Sequence, residues 1–152
     1  YFVPAFTGLG APHWIPEARG IISGLTRDTG QNEIVRAALQ SVVYQSTDLL
    51  NAMKDDGLIP SLIKVDGGMT QNNWFNQFLA DISNLKVLKP KTQETTALGA
   101  ALIAALGAGI IKSLSQIAKK NRISKQFTPK MNKKIRLKLL NGWSQAIRKT
   151  II

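Results

Sequence analysis

Among its 152 residues the chain has no cysteine and a single histidine, His13. The first absence excludes a disulfide framework and a thiolate metal site. With one histidine there is no Ser-His-Asp arrangement to propose, and no group of His, Asp and Glu has metal-ligand spacing, so no metal ligand is assigned. His13, beside Trp14, is expected to be a structural or surface residue rather than a base. GxxxxGK[ST] is missing, which excludes a P-loop kinase, and GLG at 8–10 continues into Ala11 and Pro12 without the third glycine of GxGxxG. No signal peptide is visible at the start. The opening YFVPAFTG lacks an initiator Met and enters directly in apolar residues, so the chain reads as a piece of a longer protein.

Long apolar runs are scarce as well. Thr95–Ile111 is uncharged over 17 residues, but Ala and Gly dominate it. A spanning helix needs about 20 strongly apolar residues, so a buried small-residue helix is expected there, and no membrane partner. Acidic side chains are absent from the end of the chain. Residues 119–152 carry 11 basic side chains and none acidic, whereas residues 1–118 carry nine of each sign, which puts the whole net charge of +11 in the tail. Such asymmetry bears on partners rather than on fold.

What is present suits one domain, since a chain of this length buries about 68–70% of its unfolded surface. FVPAF (2–6) and ARGIISGLT (18–26) read as strands separated by a Gly/Pro loop. A long helix is expected over about 32–54, with Val35, Leu39, Val42, Leu49 and Met53 at helical spacing, Glu33 near its start, Gly57 as its C-terminal cap and Pro60 forbidding continuation. SLIKVD (61–66) reads as a mostly buried strand, and a helix starting near Gln71 or Asn72 presents Trp74, Phe75, Phe78, Leu79 and Ile82. LKVLKP (85–90) is a further strand, and Thr95 or Thr96 can cap the helix that leaves at Gly107 and Gly109. Strands alternating with helices predict an α/β layered domain core over 1–112. Residues 113–152 are expected to be a basic helical extension packed on it. In that part NRISKQFTPK looks irregular. Met131, Ile135, Leu139, Trp143 and Ile147 recur at i, i+4 on a terminal helix that Gly142 weakens.

The stretch KVDGGMTQNN (64–73) asks most of the backbone, with two glycines at a strand end just before a helix. Glycine there costs roughly 0.5–1 kcal/mol relative to alanine. Two readings stand. Gly67 and Gly68 could floor a phosphate or nucleotide site, where helix N–H groups meet an anion and Asn72 offers an amide. They could equally form a tight turn that needs positive φ. Asp66 could act as a base or hold Mg²⁺, or it could tie down the turn through backbone N–H groups; the structural role is expected.

VPAFTGLGAPHW (3–14), ARGIISGLTRDT (18–29), VDGGMTQNNWFNQFLADI (65–82) and ETTALGAALIAALGAGI (94–110) resemble the C-terminal domain of the FGGY family of carbohydrate kinases, in its glycerol-phosphorylating branch. GIISGLTRDTGQNEIVRAALQ (20–40) follows the family's signature spacing. The resemblance is dense over 1–112 and loose over 113–147. It implies a ribonuclease-H-like, actin-like ATPase domain, one of two flanking a deep cleft, with ATP and Mg²⁺ mainly against this domain and the polyol mainly against the other. Gly68 and Asn72 fall on the family's nucleotide-contact positions, flanked by Gly67 and Met69. No catalytic residue is carried over. The family's polyol-binding residues, its general base and its threonine-rich phosphate loop all precede this part of the chain. Trp14-Ile15-Pro16 stands where the branch usually has Trp-Asp-Pro, and His13 replaces a frequent Tyr; both lie in a loop expected to be structural.

For the intact protein the resemblance implies a cytoplasmic enzyme, dimeric or tetrameric, that transfers the γ-phosphoryl group of ATP to glycerol. The piece alone is expected to be catalytically silent and to bind nucleotide weakly. Two rivals remain. One is another family kinase, of the xylulokinase or gluconokinase type. The other is a nucleic-acid-binding module using the basic tail. The tail has only Phe127 and Trp143 as aromatics and no base-reading motif, so a solvated face, and no nucleic acid, is expected.

Overall fold

The computed structural model describes residues 1–92, 94–120 and 123–151. Two short strands open the chain, β1 (Phe2–Val3) and β2 (Ile21–Ile22), followed by helix α1 (Gln31–Asp55), β3 (Leu62–Lys64), a 3₁₀ turn (Gly68–Gln71) and α2 (Asn73–Ser83). Then come β4 (Lys86–Pro90), α3 (Thr95–Gly107), α4 (Leu114–Lys120), β5 (Ile123–Phe127) and α5 (Lys133–Arg148). β1 and β2 pair antiparallel, while β3, β4 and β5 form a sheet in that order, β3 parallel and β5 antiparallel to β4.

One helix, α2, holds the layers together. Its apolar face (Phe75, Phe78, Leu79, Ile82) is buried. It lies against β4 and β5 on one side and against α1 and α5 on the other. The sheet meets it with Ile63, Val87 and Phe127, which stand side by side across the three strands. β5 was not expected: ISKQF has one large apolar residue that is buried, and its other positions are exposed, so no alternating core face marks it as a strand. Its partner does, because Phe127 lands opposite the fully buried Val87.

The first helix is longer by a residue at each end than expected and begins with the Gly30 N–H donating to Glu33 Oε2 at 2.9 Å. That bond holds the Glu33 carboxyl below its ordinary range. Its other end closes as predicted: Gly57 has φ +87°, its N–H donates to the Lys54 carbonyl, and the Leu58 N–H donates to that of Met53. Its buried face is not the predicted stripe, however. Ser41, Val43, Tyr44 and Thr47 are buried, whereas Val35 and Leu49 are 52% and 46% exposed. The two hydroxyls go inside because each donates to a carbonyl of its own helix, Ser41 to Ala38 at 2.7 Å and Thr47 to Val43 at 2.8 Å.

Three further expectations are corrected. β3 is not mostly buried, since Ile63 is half-buried and Leu62 and Lys64 are exposed. No threonine caps α3; Glu94 takes the N-cap position without a side-chain bond, and Thr95 is already helical. No residue of α3 is buried, although the segment reads as an interior helix. Among the described residues no helix is long and apolar enough to cross a membrane.

The core centres on Tyr44, which stacks on Trp143 with ring centroids 5.2 Å apart and meets Phe78 edge-on at 5.7 Å. Its hydroxyl is buried without a hydrogen-bond partner, and burial, followed by the nearby Tyr1, pushes its pKa up. Trp143 and Ile147 are buried as the α5 stripe predicts, with Ala146 buried beside them, but Ile135 is 54% exposed. Gly142 on the same helix faces Tyr1, whose hydroxyl donates to the Leu139 carbonyl at 3.0 Å, and a Cβ at Gly142 would fall on the Tyr1 ring.

Two stability tests follow from this core. Tyr44→Phe removes an unpaired buried hydroxyl and is expected to stabilise by about 1 kcal/mol, whereas Trp143→Ala should lose about 4 kcal/mol, both read from urea unfolding. Gly142→Ala should lower the melting temperature despite alanine's better helix propensity. Gly99→Ala in α3, where a Cβ meets no atom within 4 Å, should raise stability by up to about 1 kcal/mol.

Candidate functional site

The chain leaves the sheet with the Val65 N–H donating to the Leu88 carbonyl at 3.1 Å, passes Asp66, and turns at Gly67. Gly67 has φ +90° and ψ 174°, a conformation that residues with a β-carbon avoid. The next four residues form the 3₁₀ turn, and α2 follows from Asn73 with Asn72 as its cap, next to the expected start near Gln71 or Asn72. Thr70 fixes the turn from below: its N–H and its hydroxyl both donate to the Gly67 carbonyl, at 3.1 and 2.7 Å. Buried Asn76 donates from Nδ2 to the Thr70 carbonyl at 2.7 Å, while its Oδ1 has no partner. The N–H groups of Gly68 and Met69, first in the turn, donate no bond within it.

Above this turn lies a cleft of about 500 Å³, walled by α1, β3 and α2, with Gly67, Gly68 and Met69 on its edge. The two glycines differ in what they need. Gly67 is required by its backbone angle. Gly68 has no positive φ, and a Cβ there would meet nothing within 4 Å. Packing within the chain therefore does not ask for glycine at 68, but an approaching ligand would.

Asn72 is set apart from the other three. It caps α2, its Oδ1 accepting from the N–H groups of Trp74 (2.9 Å) and Phe75 (3.3 Å). It faces a neighbouring cavity of about 380 Å³, shared with Gln31, Asn32, Arg36 and Trp74. The Arg36 guanidinium lies 5.6 Å from the centre of the Trp74 ring. Sequence reasoning assigned Trp74 to the apolar face of α2 and passed over Arg36. The two meet only because α1 and α2 pack together, and no local pattern signals that pairing.

The remaining candidates fall as follows. Asp66 is exposed at the cleft and accepts no hydrogen bond among the described residues, so it does not tie down the turn. Lys89 Nζ reaches Gln71 Oε1 at 3.4 Å. His13 is structural: its Nε2 lies 3.2 Å from Asp48 Oδ2, which also accepts the Trp143 indole N–H at 2.7 Å. Among the described residues no three His, Asp or Glu side chains converge as a metal site would require.

The geometry is that of an α/β domain with a glycine turn at the carboxyl end of a parallel strand, and comparison with known proteins gives it a lineage. Residues 1–108 match the profile of the FGGY family of carbohydrate kinases, C-terminal domain. Glycerol kinase 1 of Pseudomonas aeruginosa is 54% identical over 149 residues, and the glycerol kinase of Rhodospirillum rubrum 52% over 150, each covering 98% of this chain and 30% of the relative. The chain therefore spans about 30% of the length of the curated relatives it matches. A crystal structure of Plasmodium falciparum glycerol kinase with ADP superposes with a TM-score of 0.87 at 39% identity, covering 99% of this chain and 30% of that one. A ligand-bound xylulose kinase from Lactobacillus acidophilus gives 0.73 at 25%, covering 98% and 29%. The fold is thus the ribonuclease-H-like, actin-like one of these kinases, and with most of its length under the family's profile this chain belongs to the FGGY family of carbohydrate kinases.

Proposed function

We propose that this domain is the nucleotide-binding face of a glycerol kinase, in which the γ-phosphoryl group of ATP passes to a primary hydroxyl of glycerol, giving glycerol 3-phosphate and ADP. The observation that carries the reading is Gly68. Its main chain is bare, its N–H and that of Met69 are unclaimed by the turn, and nothing inside the domain explains the missing side chain. A phosphate chain approaching this backbone would find donors where a β-carbon would otherwise stand. The similarity to a glycerol kinase with ADP over 99% of this chain supports a nucleotide as that ligand. Glycerol is favoured over xylulose or gluconate because identity is 39% to the glycerol kinase structure and 25% to the xylulose and gluconate kinases of Lactobacillus acidophilus.

Each residue has a limited part. Gly67 sets the turn, Gly68 and Met69 present N–H groups, and Asn72 offers Nδ2 while its Oδ1 stays committed to the cap. Asp66 is the one carboxylate among the described residues lining the cleft, and Mg²⁺ would arrive with the nucleotide, held by its phosphates and by water. No base or acceptor site is drawn from this chain. Phosphoryl transfer rests on positioning and charge neutralisation, and this domain supplies one side of that arrangement. Alone it is catalytically silent and binds nucleotide weakly.

Titration of the ¹⁵N-labelled chain with Mg-ADP should shift the amide resonances of Gly67, Gly68, Met69 and Asn72 first. Shifts confined to other residues would refute the assignment. Gly68→Val should keep the fold, because the new side chain enters open space, and weaken nucleotide binding at least tenfold. Asn72 separates cap from ligand: Asn72→Asp keeps an acceptor for the two N–H groups and should lose affinity with little change in stability, whereas Asn72→Ala should also cost about 1 kcal/mol on unfolding.

A further inference from the structure

The end of the chain carries charges that its own fold does not use. No acidic residue follows Glu94, and eight lysines and arginines lie between Lys125 and Lys149. Three of the eight have partners. Arg136 donates to Asn84 Oδ1 at 2.8 Å, Lys149 donates to Ser23 Oγ at 3.1 Å, and the Lys125 ammonium lies 5.2 Å from the centre of the Phe127 ring. The other five, Lys130, Lys133, Lys134, Lys138 and Arg148, are exposed, and their side chains make no hydrogen bond among the described residues. None meets a carboxylate either: the one ion pair among the described residues joins His13 to Asp48. Lys133 and Lys134 stand in the first turn of α5, which holds no acidic residue. The helix is already partly positive there, so the fold gains nothing from two cations at that end.

Helical spacing gathers these charges on one face about 24 Å long. Lys134, Lys138, Asn141, Gln145 and Arg148 fall on the side of α5 opposite the buried Trp143, Ala146 and Ile147. Leu137 lies among them and is 47% exposed, and Ile135 stands at their edge, three residues from Lys138. Water alone would accept such a face, but it gives no reason for two bare aliphatic side chains among the cations. We propose that this face docks on an anionic phospholipid bilayer, with α5 lying in the plane of the surface. Lysine ammoniums meet lipid phosphates, their aliphatic stems lie along the headgroup layer, and Leu137 and Ile135 enter the acyl boundary. Charge complementarity selects this occupant, since each unpaired cation strengthens attachment to an anionic leaflet about fivefold. Nucleic acid fits the face less well. Phe127 and Trp143 are buried and cannot stack on bases, and four of the five free cations are lysines rather than fork-shaped arginines. The face is also formed before any contact, because Trp143 stacks on Tyr44 and holds α5 to α1. Docking therefore orders no new segment.

The test is co-sedimentation of the chain with vesicles of phosphatidylcholine, alone or mixed with phosphatidylglycerol. The anionic vesicles should bind at least tenfold more tightly, and about 0.5 M salt should release the chain. Lys134→Glu with Lys138→Glu should weaken that binding at least tenfold without lowering the melting temperature. Lys64→Glu with Lys112→Glu, the same change of net charge at exposed lysines outside α5, should alter it less than threefold. Leu137→Ser with Ile135→Ser should weaken vesicle binding at least threefold and leave retention of a DNA duplex as it was. Equal binding to neutral vesicles overturns the proposal, since an apolar surface such as that of α3 would then be the contact. So does an equal loss from both lysine pairs, which would mark attraction by net charge alone. Tighter binding to DNA or to polyglutamate than to anionic vesicles at the same salt overturns it as well, the occupant then being a nucleic acid or an acidic protein. None of these results depends on nucleotide binding, so this face and the glycine turn stand or fall separately.

Discussion

The domain depends on a stack of two rings. Trp143 from α5 lies on Tyr44 from α1 at 5.2 Å and 19° between planes, and its indole N–H donates to Asp48 one turn further along α1. Asp48 in turn meets His13 from the loop between β1 and β2. Dispersion and a charge-assisted hydrogen bond therefore act at one place on three segments far apart in sequence. Phe78 of α2 closes the group edge-on against Tyr44. Without the stack α5 would lose its most deeply buried large side chain, and the loop would lose its tie to α1. The basic end of the chain follows from this. Lys133, Lys134 and Lys138 lie on the outer side of a helix whose inner side is Trp143, Ala146 and Ile147, and β5 is held to the sheet by Phe127.

A second constraint operates at the glycine turn. Gly67 answers to backbone geometry, whereas nothing in the domain's own packing requires a glycine at 68. The buried pair Thr70 and Asn76 gives the turn its stiffness, since four hydrogen-bonding groups beneath it are committed to one conformation. The exposed side keeps its donors free. A loop braced from inside and bare outside can bind an anion with little reorganisation, because the ordering cost was met on folding.

Most of the fold was legible because its signals are local. The 3.6-residue period of α2 and α5, the glycine after α1, and the β-branched and leucine residues of β3 and β4 each report on a few neighbouring positions. What could not be read is tertiary. β5 has no amphipathic pattern of its own and exists through its register with β4. The buried flank of α1 is lined by Ser41 and Thr47, which look polar in sequence and are satisfied within the helix. Its apolar stripe, clear in sequence, faces cavities. At the candidate site, spacing and resemblance point to Gly67, Gly68 and Met69, but the capping role of Asn72 and the contact of Arg36 with Trp74 appear only in the folded domain. The misreading of α3 has a separate cause: its composition is that of an interior helix, yet none of its residues is buried.

Of the residues expected inside but exposed, Ile135 lies on α5 and Ile103 on α3, whereas Val35, Leu49 and Leu62 lie on the side of the domain reached from α1 or β3. The glycine turn lies on the same side, at the carboxyl end of β3, and it is braced by β4 and α2 but not along the free edge of the strand.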